Sequence, residues 1–343
     1  MPVPSSGEIK ISDLVAEFGG DAPHALSEYY RDGGRVPGNN TGIPTSGAFG
    51  LGNAYGAVNE IAIAATSGTN VDLSSLFGGN WTSTVPKRLT IGSGVTIGGT
   101  GSSAAIIIPS NMAGTLEINN AGSVLGFGGA ANGGAGGNAI SNSASGVTIN
   151  NTGLLAGGGG GGGLGGTGGG GSYTQTTAGP TNNIYSYLWY SGTNFIQLWW
   201  GGYLGQFTYS GTGNDVTQHT IGAYTYLKGN QHAQGESNRE RYISRRTTVN
   251  TSGGSGGSGG VGQGYNQTNT SGSAGASGGT NAGTGGTGGT GATYGTAGST
   301  GSTGANGNAS NGSSGAGGGA AGAAVSGTTV TMNNTGTIYG AVA

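Results

Sequence analysis

Glycine makes up 85 of the 343 residues, and it is gathered into long runs: Gly157–Gly171 (GGGGGGGLGGTGGGG), Gly253–Gly264 (GGSGGSGGVGQG) and Gly283–Gly291 (GTGGTGGTG). Glycine loses more backbone freedom on folding than any other residue. Such runs therefore stay unfolded, or they pack backbone against backbone where no side chain fits. Collagen is excluded, because it needs a strict Gly-X-Y period with abundant proline and no proline follows Pro180. The runs have a period of their own. Ser255 and Ser258 are three residues apart, as are Thr284, Thr287 and Thr290, with Gly-Gly between them. Three residues per turn is the period of an extended left-handed helix without internal hydrogen bonds. Its N–H and C=O groups must then bond to neighbouring segments. Runs at 126–137, 157–171, 253–264, 271–292 and 295–319 are expected to supply such segments, with every third residue facing outward.

Charge is nearly absent. Only 6% of residues are charged and the net charge is −2, so no field steers the chain to nucleic acid or an acidic membrane. No charged residue lies between Glu117 and Asp215, and none follows Arg246. There is no cysteine, which excludes disulfides and thiolate metal sites. The first residues lack a charged stretch before an apolar run, so no secretory signal is expected. No apolar stretch approaches the length of a membrane helix.

An internal repeat is the second strong signal. Leu116–Gly126, Val147–Gly157 and Val330–Gly340 each read as a short alternating strand, an Asn-Asn-x-Gly element and a second short strand. Asn and Gly tolerate positive φ, so tight turns are expected there. Upstream, Val71–Phe77, Arg88–Gly92 and Gly94–Gly98 alternate apolar and polar residues, and Ala104–Pro109 reads as a buried strand. Residues 1–40 are different. Ile11, Leu14, Val15 and Phe18 fall on one helical face, and Ala25–Arg31 is a second short segment, each stopped by Gly-Gly. Alone these segments bury too little to stand as a domain. They are expected to attach the chain to a partner or to its own body, through Leu14, Phe18, Tyr29 and Tyr30.

Residues 172–250 interrupt the glycine. Three of the four tryptophans and nine of the fifteen tyrosines fall here. Tyr185, Tyr187 and Trp189 alternate before Ser191-Gly192-Thr193, and Phe195–Trp200 alternates after it, which predicts a β-hairpin with aromatics on both faces. Ile221–Leu227 is expected to form one further strand. Tyr and Trp offer stiff contact area with a polar edge, suited to protein or sugar recognition. Tyr185, Tyr187, Trp189, Trp199, Trp200 and Tyr203 are the candidate contacts, although a hairpin must bury one face in its own core. Arg239, Arg241, Arg245 and Arg246 form a basic patch suited to anionic groups, or a solvated strand edge paired with Glu236 and Glu240. Catalysis has little support. The histidines are His24, His219 and His232, with Asp215 and Glu236 four residues from the last two. Beyond Glu117 the only acids are Asp215, Glu236 and Glu240, too few for a glycan-cleaving cleft of paired carboxylates. No glycine run has the strand–loop–helix context and lysine of a nucleotide site.

Val147–Gly171, Asn333–Gly340 and the aromatic segment together resemble phage tail-fibre proteins, in style the tip adhesins of T-even-type long tail fibres. Ile11–Val36 looks like short modules of phage tail proteins. The resemblance implies a mostly β virion tail protein without cofactor or catalysis. It further implies polyglycine II helices packed as a sandwich, and variable loops that bind a host cell-surface protein or glycan. Its partners would be other phage tail or virion proteins, with neither nucleic acid nor membrane insertion. The expected organisation is an N-terminal attachment segment (1–40), a β region (41–125) and a glycine sandwich (126–343) carrying the aromatic insert (172–250). A purely architectural subunit of tail tip, baseplate or head is the alternative.

Overall fold

The computed structural model describes residues 3–179, 188–190, 195–200, 202–208, 218–231 and 241–343. Within them the chain is mostly β, arranged in several sheets, with little helix.

The first helix, α1 (Ile11–Phe18), forms where the apolar spacing predicts it, and buries Leu14 and Phe18. A 3-10 turn at Leu26–Tyr29 buries Tyr29. These residues do not wait for a partner. Val3, Leu14, Phe18, Tyr29, Val36, Ile43, Ala54 and Ala57 close into a core of their own. The reason is a partial duplication forty residues apart. Pro4-Ser5-Ser6-Gly7 returns as Pro44-Thr45-Ser46-Gly47. Both glycines have positive φ, +89° and +85°. The Gly7 carbonyl accepts from the Tyr55 hydroxyl, and the Gly47 carbonyl from the Tyr30 hydroxyl. Asp13 accepts from the backbone N–H of Lys10 at 2.7 Å, and Asn53 from that of Gly50 at 3.0 Å. Each copy supplies the tyrosine that pins the other.

From residue 61 the chain winds into a three-sided coil of parallel strands. The first turn is β1 (Ile61–Ala64), β2 (Gly68–Thr69) and β3 (Val71–Asp72). Residues 73–77, expected to continue a strand, instead form the short helix α2 (Leu73–Phe77). Asp72 caps it, accepting from the N–H groups of Ser74 and Ser75. A cap of this kind satisfies donors that a helix start leaves free. The second turn is β4 (Lys87–Ile91), β5 (Thr96–Gly98) and β6 (Ile106–Ile108). The third is β7 (Leu116–Asn120), β8 (Ser123–Leu125) and β9 (Ile140–Asn142). The fourth begins with β10 (Val147–Asn151) and β11 (Leu154–Ala156). The sheets read β1-β4-β7-β10, β2-β5-β8-β11 and β3-β6-β9, all parallel and in register. Inward residues stack from turn to turn. Leu89, Ile118 and Ile149 line one side of the core, Ile97, Val124 and Leu155 the second, and Ile106 and Ile140 the third, all nearly or fully buried. Lys87 is buried too, and its ammonium donates to the carbonyls of Ser83, Val85 and Ala113 at 2.6, 3.0 and 2.8 Å.

The Asn-Asn-x-Gly elements are corners between two sheets, not hairpin turns. None of Gly122, Gly153 and Gly336 has a positive φ. Glycine is required for another reason. A methyl group on Gly122 would lie 2.3 Å from the Val95 carbonyl oxygen. On Gly153 it would lie 2.2 Å from that of Gly122, and on Gly336 2.3 Å from that of Gly153. Each corner rests directly on the one before it.

Residues 157–324 leave the coil between its second and third sides. The excursion begins with glycine, passes through the aromatic insert and returns. The insert contains β12 (Gly171–Ala178), β13 (Leu188–Tyr190), β14 (Phe195–Trp199), β15 (Tyr203–Thr208), β16 (Gln218–Ile221), β17 (Tyr224–Gln231) and β18 (Arg241–Thr251). Then β19 (Val325–Gly327) rejoins β9 and completes the fourth turn. β20 (Thr331–Asn334) pairs with β10, and β21 (Thr337–Tyr339) with β11. A bridge from Val325 to Val342 marks the third side of a fifth turn.

The glycine segments hold no strand ladder, but their hydrogen bonds are regular. Along 157–170, N–H groups at 159, 162, 165 and 168 donate to the carbonyls of Gln263, Gly260, Gly257 and Gly254. Those at 160, 163, 166 and 169 donate to Thr296, Ser299, Ser302 and Ala305. Those at 158 and 161 donate to Gly137 and Gly134. Successive residues thus face different neighbours, and the pattern recurs every three residues. Leu164 and Thr167, the side-chain-bearing residues of this segment, sit where the backbone meets solvent. So do Ser255, Ser258, Thr284, Thr287 and Thr290. The body is keyed to the coil by Tyr265, whose ring occupies the space a side chain on Gly98 would fill.

Candidate functional site

The insert grows out of the glycine body as two sheets. β12 and β18 run antiparallel from Gly171–Thr251 outward, carrying β17 and β16 beyond them. β13, β14 and β15 form a second antiparallel sheet. Of the expected hairpin, β13 and β14 pair antiparallel, with Trp189 opposite Gln197, and its turn lies outside the described residues. The single strand expected over 221–227 is instead a second hairpin, turned at Gly222, whose φ is +59°. A left-handed turn there costs glycine nothing.

Leu198, Tyr226 and Ile243 form the insert's small core, with Trp200, Phe207 and Ile221 packed on it. Trp200 meets Tyr226 edge to face, with ring centroids 5.8 Å apart. Trp200 is therefore partly core. Trp199, one residue earlier and past a bulge in the β14–β15 register, stands edge-on to Tyr203 with centroids at 5.1 Å. Tyr203 is 53% exposed, and Leu204 and Tyr224 are exposed as well. Arg245 lies between two rings, its guanidinium carbon 4.9 Å from the Trp200 centroid and 4.1 Å from that of Tyr224. Cation–π contacts of this kind hold a guanidinium in place while leaving its hydrogen-bonding edge free. Arg246 is exposed on the same strand.

The structure thus brings Trp200 and Arg245 together, pairs Trp199 with Tyr203, and adds Tyr224, Tyr226 and Leu204, which the sequence pattern had not singled out. Strand alternation could have found Tyr224, since it is two residues from Tyr226 along β17 and shares its face. Trp189 lies on β13 and Arg241 begins β18. Tyr185, Tyr187, Arg239, Asp215, His232, Glu236 and Glu240 lie outside the described residues. His219 lies against Phe207, the rings tilted by 42° with centroids 3.8 Å apart. The attachment candidates are a correction: Leu14 and Tyr29 are fully buried and Phe18 nearly so, because the apolar face of α1 meets the duplicated turn. The Tyr29 hydroxyl donates to the Gly19 carbonyl at 2.8 Å, and burial raises its pKa. Tyr30 is half-buried and bound to Gly47. These four residues build their unit rather than offer a contact face.

Among the described residues no group of His, Cys, Asp and Glu could hold a metal ion, and no helix is long and apolar enough to cross a membrane.

A family model described as phage tail fibre adhesin Gp38 matches residues 59–243. No curated protein matches the chain. A solved structure, the gp37–gp38 adhesin tip complex of the bacteriophage S16 long tail fiber, is similar with 18% identity over 97% of this chain and 97% of that chain, at a TM-score of 0.37. The family match opens where the three-sided coil begins, runs through the aromatic insert and covers more than half of the residues. The chain belongs to the phage tail fibre adhesin Gp38 family and is a structural component of the virion tail.

Proposed function

We propose that the chain binds a host cell-surface receptor through the aromatic insert, without catalysis, and that the glycine body holds the insert away from the tail. The observation that carries this reading is the Trp199–Tyr203 pair, open to solvent at Tyr203, on the same insert as the ring-clamped Arg245. Trp, Tyr and Arg dominate binding hot spots, and a surface already held by packing loses little entropy on binding. Tyr185, Tyr187, Trp189, Arg239 and Arg241 are candidates for further contacts within the insert. The receptor is a protein or glycan of the host envelope.

The scaffold is a sandwich of polyglycine II helices. The three-residue spacing of lateral hydrogen bonds supports this, since that helix has three residues per turn and no internal bonds. Close approach supports it as well: a methyl group on Gly162 would lie 1.9 Å from the Gly289 carbonyl oxygen. The working division is an N-terminal attachment unit, the β coil, and the glycine sandwich with its insert. Its assembly partner is another tail-fibre protein; the S16 adhesin tip is likewise a complex of two proteins, gp37 and gp38.

Deleting 183–246 tests the reading. Particles carrying the shortened chain should assemble with normal copy number and fail to adsorb to host cells. Unchanged adsorption sinks receptor binding and leaves an architectural subunit.

A further inference from the structure

Among the described residues, β12 is the longest end strand of the insert, and beyond its root its outer edge is bare. β12 and β16 end one sheet, and β13 and β15 end the other. β12 has eight residues, against six for β15, four for β16 and three for β13. Residues 174–178 (TQTTA) are all exposed, and the strand pairs with β18 without a shift in register. Natural edge strands are blunted by charge, proline or bulges. β12 carries none of these.

The root of this edge is already bonded, and it shows what a partner must offer. The Ser172 N–H donates to Asn308 Oδ1 at 2.7 Å. The Ser172 carbonyl accepts from Nδ2 of Asn308 at 2.8 Å and from Nδ2 of Asn281 at 3.0 Å. One carboxamide thus takes both backbone groups of Ser172, as the facing residue of an antiparallel strand does. Along such a strand, alternate residues bond to opposite sides. Ser172 bonds outward, whereas the Gly179 N–H bonds inward, to the Ile243 carbonyl of β18 at 3.1 Å. The N–H and C=O groups of Thr174, Thr176 and Ala178 therefore point outward, and among the described residues nothing pairs with them.

We infer that this edge takes an extended segment of a host surface protein as an added strand, in line with the Asn308 carboxamide. The inference rests on receptor binding by the insert, and it narrows the receptor to a protein. Outward N–H and C=O groups that recur every second residue, about 6.8 Å apart, are the complement of an extended peptide backbone. Strand addition draws affinity from such backbone bonds and specificity from the side chains in register. Arg246 supplies a charge for that register. It is exposed, lies opposite Thr176 across β12–β18, and has no ion pair among the described residues. An acidic side chain on the added strand, level with Thr176, is its complement.

The test uses the full chain on tail particles, with host cells and with vesicles prepared from the host envelope. Thr176→Pro removes one outward N–H and takes no bond from the β12–β18 ladder, a place where edge strands tolerate proline. Thr174→Lys/Thr176→Lys leaves the backbone intact and blunts the edge with charge, so it serves if the proline variant does not melt like the parent. Either folded variant should adsorb roughly tenfold or more weakly, the scale of one or two lost hydrogen bonds. Amide exchange in the parent should slow about tenfold or more on vesicle binding at 174, 176 and 178, and stay unchanged at 175 and 177. Protease treatment of the vesicles should abolish this protection, and periodate oxidation of their glycans should not. Full adsorption of the folded variants overturns the inference. So does unchanged exchange at 174, 176 and 178, or protection lost to periodate alone. Concentration-dependent protection in the free protein assigns the edge to a second copy and also overturns it. The 183–246 deletion separates two failures. If it abolishes adsorption while the edge variants adsorb fully, receptor binding stands and strand addition falls; if it adsorbs normally, both fall.

Discussion

Asn151 donates through Nδ2 to Oδ1 of Asn334 at 2.7 Å, joining two residues that stand on either side of the whole glycine-rich excursion. Asn151 also accepts from Asn120 and is 1% exposed. The closing turn of the coil is held by this rung together with the β10–β20 and β11–β21 pairings. Asn151→Ala takes a partner from the buried Asn120 carboxamide and cuts the rung to Asn334, and a buried group left unsatisfied costs about 1–3 kcal/mol. Thermal unfolding should show a cost of roughly 2 kcal/mol, and early exposure of the C-terminal strands to protease.

Glycine substitutions should sort by what a methyl group would meet, not by which run they lie in. Gly153→Ala and Gly162→Ala place a carbon within 2.2 and 1.9 Å of a carbonyl oxygen, and both should lower stability by several kcal/mol, at or above the ~1–3 kcal/mol typical of overpacking. Gly317→Ala meets nothing within 4 Å and should be silent. Equal effects in a melting series would show that the glycine body does not pack as described.

Lys87→Met keeps an unbranched apolar stem of similar size and removes the ammonium. Three carbonyls, of Ser83, Val85 and Ala113, lose their shared donor. Burial lowers the Lys87 pKa from the usual lysine value, and the hydrogen bonds hold the charge in place. The variant should unfold at a lower temperature by an amount matching about 2–3 kcal/mol, with the 78–86 segment the first to exchange.

Asp72 supplies an acid-sensitive lock. Its carboxylate accepts from the Ser74 hydroxyl at 2.6 Å and from the N–H of Ser74 at 2.8 Å, and these bonds hold its pKa below 3.8. A depressed carboxylate adds stability in full above its unfolded value near 3.8, and that share is lost as pH falls through the lower folded value. Asp72→Ala should therefore cost about 1 kcal/mol at neutral pH. The difference from the parent should shrink only below pH 3.8. A gap that closes at a mildly acidic pH, well above that value, would assign the cost to another group.

Tyr203→Ala and Arg245→Ala separate contact from support. Tyr203 is exposed, and its loss should leave melting unchanged while reducing adsorption roughly tenfold or more, the scale of a hot-spot side chain. Arg245→Lys keeps charge but loses the guanidinium held over the Trp200 and Tyr224 rings, and should reduce adsorption nearly as much as alanine. Full adsorption of both Tyr203→Ala and Arg245→Ala particles would remove this surface from the receptor site.

The repetitive parts of this protein were legible from its amino acids alone. Three Asn-Asn-x-Gly repeats marked three successive turns, α1 followed from its apolar spacing, and the aromatic hairpin from its alternation, because each is a local pattern set by side-chain period. Other features depend on contacts beyond that reach. The Asn-Asn-x-Gly elements became corners whose glycines are required by the carbonyl of the preceding turn, a contact from residues far away in the chain. Leu73–Phe77 folded into a helix through the Asp72 cap, and 221–227 split at Gly222. Leu14, Phe18 and Tyr29 were buried against a second copy of their own motif, and the coil was closed by strands from the far side of the glycine body. Strand partners in a parallel coil are chosen by which backbone groups remain unpaired in the turn below, and that information is carried by no single segment.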